Sequence, residues 1–431
     1  MSKSIFTDRW VRRPHGAPRK DEPYEDTGSG DPGNRTVVKF RYPLAQDTVD
    51  REDLHHLIEW LKTNPRLTKG EVTVAFENKW SRWLGRNYSV FCNSGSSANL
   101  LMFHTLLLSG RLRNKKVVVP SAGWSTSIAP AIQLGFEPLM CEADPDTFGL
   151  DLNDLEALLR QHDPGTVLVT HVLGVPHKMG ALERLREKYG FILLEDACAA
   201  IGSSTEGKKV GSFGDLASFS FYFGHQISTI EGGMVSTDDP VYRDLLLMGR
   251  SHGWAKDLEP QGQAQLLDRY RIDGVHEPFV FYEPGFNLRS TDLNAFIGLS
   301  QVDKLDRIAS RRHANHLRFK KLLGGTCHTQ GWQDPESVIS SISFCLVAAS
   351  GEARRSIVAV LVENGIESRL FTAGNLGRHP FWFNRFGEVH LPFADRLFES
   401  GLFVPNHPFL EAGDIDFISQ VIIEAPCTQR S

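Results

Sequence analysis

The sequence predicts an α/β fold, with a large domain built on a mostly parallel sheet and a smaller α/β domain after it. Three observations carry this. Strand-like apolar runs recur at 116–122, 137–143, 166–174, 191–197, 216–223 and 232–238. Helical segments lie between several of them, and short buried strands alternating with helices build a largely parallel sheet covered on both faces. The composition, 41% hydrophobic and 23% charged, is that of an ordinary globular chain rather than a disordered or fibrous one.

Taken in order, residues 1–35 read as a tail, because RKDEPYEDTGSGDPGNR packs charge, Pro and Gly with almost nothing to bury. From Asp50 to Leu61 a helical period places Leu54, Leu57, Ile58 and Leu61 on one face. A second helix follows around Val72–Leu84. The stretch YSVFCNSGSSANLLMFHTLLL reads as a short strand, a Gly/Ser turn and a long apolar helix from about Ser97. Further helices are predicted over Leu152–Gln161 and Ala181–Tyr189. A long charged helix over 299–323 leads into the second domain, where 338–424 reads strand, helix, strand, helix. The expected organisation is therefore a tail over 1–40, a large domain over 41–300 whose residues 41–70 pack with the small domain, and a small domain over 301–431.

The 431 residues carry 47 Lys and Arg against 52 Asp and Glu, a net charge of −5 that leaves no basic excess for nucleic acid or an anionic membrane. No run reaches the ~18 apolar residues of a membrane span. The first residues, MSKSIFTDRWVRRPHG, have no apolar core of signal-peptide length, so a cytoplasmic protein is expected. The six cysteines, at 92, 141, 198, 327, 345 and 427, form no CxxC or cluster. Their spacing suits neither a disulfide framework nor a zinc site, and no metal is expected.

Four segments stand where α/β enzymes place function, at strand ends and the turns after them. Asn93-Ser94-Gly95-Ser96-Ser97-Ala98-Asn99 feeds a helix N-terminus, which is either an anion site or a simple cap. Trp124, in GWST after a strand, either stacks on a planar ligand or packs in the core. Asp196 ends the strand FILLED; it is either a helix cap or a carboxylate that a cationic ring nitrogen would hold ionised. The fourth segment is SFSFYFGHQISTIEGG (218–233), with His225 among apolar residues.

Together these segments, in this order, resemble the fold-type I pyridoxal-phosphate enzymes. More closely the chain resembles the DegT/DnrJ/EryC1/StrS sugar aminotransferases, which act on nucleotide-linked 4-keto-6-deoxyhexoses. The resemblance covers roughly residues 40–425. It implies the aspartate aminotransferase-like fold, with a large, mostly parallel sheet of the seven-stranded type. In that family the residue six before the Glu of EGG is the Schiff-base lysine; here it is His225. A histidine there is the mark of the 3-dehydratase subgroup, and GSSANLLM, WSTS, HGW, PGFNLR and GLFVPNH are similar to stretches of the GDP-4-keto-6-deoxymannose 3-dehydratases. An iron–sulfur-dependent relative is echoed by THVLGVP and RLFTAGNLGRHP. No cysteine lies between Cys198 and Cys327, so its cluster, and a reductase to serve it, are not expected.

Roles follow from the resemblance by matching positions. Asp196 would pair with the pyridine nitrogen and Trp124 would stack on the ring. Gly95, Ser96 and the Ser220 hydroxyl would hold the phosphate, Asn287 would reach it from a second subunit of a homodimer, and His225 would be the base. The family has Gln or Glu three residues after the ring aspartate; this chain has Ala199. An imidazole moves protons but forms no imine, so the resemblance implies use of pyridoxamine phosphate, regenerated from pyridoxal phosphate by L-glutamate, and loss of the sugar's C3 hydroxyl. The alternative is a nucleotide-sugar aminotransferase, which would need a Schiff-base lysine elsewhere; Lys208 and Lys209, in a turn, are poorly placed for it.

Overall fold

Seven strands form the main sheet of this computed structural model, which describes residues 40–331, 334 and 336–426. The expected tail, up to residue 39, and Cys427 lie outside the described residues. The strands are β1 (Tyr88–Cys92), β2 (Lys116–Pro120), β3 (Glu137–Cys141), β4 (Thr166–Thr170), β5 (Ile192–Asp196) and, after a small hairpin of β6 (Ser204–Thr205) and β7 (Lys208–Lys209), β8 (Leu216–Ser220) and β9 (Gly233–Thr237). Their order is β1-β9-β8-β5-β4-β2-β3. Pairing is parallel from β8 to β3, and β9 alone runs against its neighbours β8 and β1.

Side chains alternate faces along each strand. In β2 and β4, Val117, Val119 and Leu168 meet α3 (Gly95–Ser109) and α4 (Ser125–Gln133), with α7 (Pro240–Arg250) in the same core. Val118, Val167 and Val169 point the other way, onto α5 (Leu152–His162) and α6 (Met179–Tyr189). Burial on both sides is why these strands read as unbroken apolar runs. The helices predicted over 72–84, 152–161 and 181–189 are present, the first as α2 (Glu71–Leu84). The apolar helix begins at Gly95, two residues before the expected start, because the Ser94 hydroxyl caps it by accepting from the Ser97 N–H at 3.1 Å.

The first helix, α1 (Arg51–Lys62), forms as the period predicts, yet Leu54, Ile58 and Leu61 are exposed. Its attachment is polar instead. Buried Asp53 accepts from Ser300, Gln301 and Lys304 of the 32-residue α9 (Asp292–Leu323), and Trp60 stacks on Phe296 at 4.6 Å.

Between α7 and α9 lies α8 (Pro260–Tyr270). The start of α9, seven residues earlier than expected, is set by Thr291, whose hydroxyl accepts from the Asn294 N–H. Ala295, Val302 and Leu305 of α9 join the α2 core, and Phe319 and Leu323 join the core of the second lobe. The boundary expected at 300/301 thus falls inside one continuous helix. The second lobe contains β10 (His328–Thr329), β11 (Ser343–Val347), α10 (Gly351–Glu363), β12 (Arg369–Leu370), α11 (Pro380–Phe386), α12 (Pro392–Ser400), β13 (Gly401–Pro405) and α13 (Ala412–Ile423). Its sheet is antiparallel, in the order β10-β11-β13-β12. Tyr42 lies in this lobe's core, and its N–H donates to the Gly365 carbonyl.

Where β1 meets α7, fully buried Arg250 is paired with two carboxylates, Glu77 at 2.6 Å and Asp257 at 2.9 Å. Glu77 also accepts from the Phe91 N–H. Removing one partner of such a pair strands a buried charge. Glu77→Ala should therefore lower unfolding stability by about 3–5 kcal/mol, read from the denaturant midpoint; a change within error would show that Asp257 alone satisfies Arg250.

Candidate active site

The carboxyl ends of β5 and β8 meet the first turns of α3 and α4. At their junction is Asp196, 4% exposed. Its Oδ2 accepts from Asn99 Nδ2 at 3.0 Å and, over a short contact, from the Ser127 hydroxyl; Oδ1 accepts from the Cys198 N–H at 3.0 Å. Asn99 is itself oriented by Ser218, whose hydroxyl donates to its Oδ1 at 2.6 Å. Every donor is neutral, and no ion pair to Asp196 forms among the described residues. A buried carboxylate in that state can hold a cation supplied from outside.

Beside it the start of α3 lies almost against the end of β8. A Cβ at Gly95 would come within 2.4 Å of Ser220 Cβ and 2.8 Å of its Oγ, so only glycine permits the approach. The N–H groups of Gly95 and Ser96 have no acceptor within the described residues, leaving them and the helix dipole to an anion. The Ser96 hydroxyl donates to Thr126 at 2.9 Å, which ties the first turns of α3 and α4 together. Trp124, the residue before α4, is 61% exposed, so it packs in no core of this chain and offers a free aromatic face at the site's edge.

His225 lies in the loop from β8 to β9, where its N–H donates to the Tyr222 carbonyl at 2.9 Å. Its ring is half-buried and Nδ1 is buried without a partner. Burial pushes its pKa down to about 4; the Asp196 carboxylate opposes this and the Arg312 guanidinium reinforces it. The imidazole is thus neutral at working pH and ready to accept a proton. Cys198, two residues after Asp196, is held as an inert thiol, its pKa pushed well up by burial and then by Asp196.

Asn287 is exposed, and its Oδ1 accepts from Arg289 Nε at 3.1 Å. No hydrogen bond among the described residues joins it to Gly95, Ser220 or Asp196. Where the family has Gln or Glu, Ala199 offers only its carbonyl, which accepts from Gln226 Nε2 at 2.7 Å. Glu195, beside Asp196 in β5, anchors the 211–214 turn through the N–H groups of Gly211, Phe213 and Gly214 and is bonded to His171 at 3.1 Å, so His171 belongs to that structural pair. Asn99 and Ser127, which fix Asp196, sit inside NSGSSAN and WSTS, but nothing in the sequence alone marks them as its partners.

This architecture is shared with proteins of known family. Residues 47–422 match the DegT/DnrJ/EryC1/StrS aminotransferase family, and the chain belongs to it. It is 31% identical over 379 residues to the GDP-4-keto-6-deoxy-D-mannose 3-dehydratase of Yersinia pseudotuberculosis, covering 86% of this chain and 95% of that one. The structure of the Escherichia coli GDP-4-keto-6-deoxy-D-mannose 3-dehydratase with bound hydrated PLP superposes with a TM-score of 0.81 at 28% identity, over 89% of this chain and 99% of the other. A second structure, of a GDP-4-keto-6-deoxymannose 3-dehydratase with a trapped PLP–glutamate geminal diamine, gives 0.80 at 28% identity, over 89% and 100%.

The site generates a titration. A histidine with a depressed pKa stays neutral until the pH falls to that value. In the cofactor-free protein the His225 ring should protonate with a midpoint near 4; a ring resonance that titrates at the unperturbed value of about 6.5 would show that the ring is hydrated rather than buried.

Proposed function

We propose that this chain is a 3-dehydratase of nucleotide-linked 4-keto-6-deoxyhexoses that works with pyridoxal and pyridoxamine phosphate and takes its amino group from L-glutamate. The observation that carries the reading is His225, a neutral base coupled to the Asp196 carboxylate. The residues suit the cofactor. Asp196 has only neutral donors and can hold the protonated pyridine nitrogen, Trp124 has a free face for the ring, and the cradle of Gly95, Ser96 and Ser220 has N–H and hydroxyl donors for the phosphate. Asn287 is exposed and makes no hydrogen bond to this cradle among the described residues, which suits a homodimer in which the partner subunit's Asn287 completes it.

When bound, the pyridoxamine form supplies an amine for the sugar's C4 ketone and an electron sink for breaking the C3–O bond. Asp196 keeps the ring nitrogen protonated, and Trp124 orients the ring plane. His225 would move the proton, its imidazole accepting it from C4′ and handing it to the departing C3 hydroxyl. Neither Lys208 nor Lys209 takes the place of the imidazole. Lys208 and Lys209 have their ammonium groups over the rings of Phe213 and Trp83, at 5.4 and 4.9 Å. That arrangement disfavours the aminotransferase reading.

Incubation with a panel of nucleotide-linked 4-keto-6-deoxyhexoses, GDP-linked first, plus pyridoxamine phosphate and glutamate should give loss of one water by mass, with no iron or added reductant. Amino-sugar product instead would return the aminotransferase reading. His225→Asn should still bind pyridoxamine phosphate but lose at least ~10²–10⁴ in dehydration rate, the worth of general acid–base catalysis. His225→Lys should gain a borohydride-reducible imine that the native protein lacks. Wild-type-like dehydration by His225→Asn would remove the base from this residue.

Asn287→Ala should weaken cofactor retention without shifting the unfolding midpoint, and the active species should sediment as a dimer. An active monomer would refute the shared site.

A further inference from the structure

A cavity of about 340 Å³ opens on one face of α9, and it shares no lining residue with the candidate active site. Lys304, Arg307, Ile308 and Arg311 line it from the helix, spaced three and four apart so that a single face carries them all. Thr48 and Asp50, just before α1, contribute one side, and Pro408 and Phe409, after β13, contribute another. Both segments are tied to the helix. Thr48 exchanges two hydrogen bonds with Gln301, its hydroxyl donating at 2.7 Å and its carbonyl accepting at 3.0 Å. The Leu410 carbonyl accepts from Arg311 Nε at 3.1 Å and from its Nη2. The cavity is thus built into the fold, and its size falls within the range of roughly 300–1,000 Å³ found for small-molecule sites.

Its charges do not balance. Lys304 is spent on Asp50 at 2.7 Å and on Asp53 at 2.6 Å. Arg307, which is exposed, makes no hydrogen bond or ion pair to the described residues, and Arg311 keeps Nη1 free. The acids of the same stretch of helix are engaged with α2 instead. Asp303 pairs with Lys79 at 2.6 Å, and Asp306 accepts from Trp83 Nε1 at 2.9 Å. Two like charges one turn apart on a helix repel, and an anion held between them would relieve that repulsion. Next to them Phe409 leaves its ring 51% exposed inside a concavity, with Ile308 and Pro408 extending the apolar surface.

We propose that this cavity binds a nucleoside monophosphate, its phosphate held by Arg307 and Arg311 and its base laid against Phe409. Guanidinium groups match phosphate oxygens with paired, charge-assisted hydrogen bonds. A terminal phosphate carries nearly two negative charges at neutral pH, which answers two unpaired cations. The bridging phosphates of a nucleotide-linked sugar carry only one each. An anion without a ring would leave the Phe409 face unused, and a ring without an anion would leave the guanidinium pair unbalanced. A base satisfies the first demand because every base has a face that stacks on an aromatic side chain. The site is separate from the reaction proposed above and would stand without it.

Guanosine monophosphate is the probe, titrated calorimetrically into the full chain loaded with pyridoxal phosphate, and it should bind saturably. Arg307→Ala should weaken binding about tenfold or more, the worth of one charge-assisted hydrogen bond. Phe409→Ala should weaken it about fivefold or more, the worth of stacking one base. Both side chains are open to solvent, so neither substitution should move the unfolding midpoint. Guanosine and inorganic phosphate, each carrying one of the two recognised groups, should bind about tenfold more weakly than the monophosphate, or worse. Inorganic phosphate that binds as tightly as the nucleotide would overturn the place of the base. Guanosine monophosphate that binds Arg307→Ala and Phe409→Ala as well as it binds the wild type is held elsewhere, and that result, or no saturable binding to the wild type, would overturn the site.

Discussion

A carboxylate buried among neutral donors is the constraint around which the site is arranged. Asp196 takes hydrogen bonds from Asn99 in α3, Ser127 in α4 and the Cys198 main chain after β5. These groups follow three different strands of the sheet, β1, β2 and β5, so the carboxylate is fixed only where the order of the sheet brings those strand ends together. Neutral donors hold its orientation without neutralising its charge. The demand for a cation is thereby left for a ligand to meet.

The second constraint is steric. Gly95 faces Ser220 with no room for a methyl group, and a Cβ at Gly233 would lie 2.1 Å from the Ser94 carbonyl oxygen. Two glycines thus let the first turn of α3 settle onto the ends of β8 and β9. The free N–H groups of that turn then open beside the Ser220 hydroxyl, and the loop from β8 delivers His225 near Asp196. In the proposed reading, anion cradle, ring counter-charge and base are set within one corner by backbone contact rather than by long side chains.

Much of this is legible in the sequence. The strands were visible because burial on both faces leaves an unbroken apolar run, and the site motifs because they follow those runs. What stayed hidden depends on contacts between distant segments. The period of α1 marks a helix, but not that Leu54, Ile58 and Leu61 face outward while Asp53 makes the attachment. A tryptophan at a strand end suits a core as well as a ligand, and only the fold leaves Trp124 exposed. Asn99 and Ser127 carry no charge to flag them. Arg312 is one cation in QVDKLDRIASRRHANH, a run that looks solvated; its burial arises only when the second lobe closes over α9.

The replacement of an amine by an imidazole is coherent with the electrostatics of this corner. Burial dominates at His225, and of the two charges that act on it, only Asp196 raises its basicity. In the proposed reading that carboxylate is matched by a protonated ring nitrogen once the cofactor binds, so the one influence favouring imidazolium is offset as the reaction begins. Burial and Arg312 then act in the same direction. The base is kept neutral by the environment that assembles the site, whereas a lysine in the same place would also be driven neutral and would then be a nucleophile. A buried amine there would capture the aldehyde; a buried imidazole can only exchange protons, and the outcome at C3 follows from that difference.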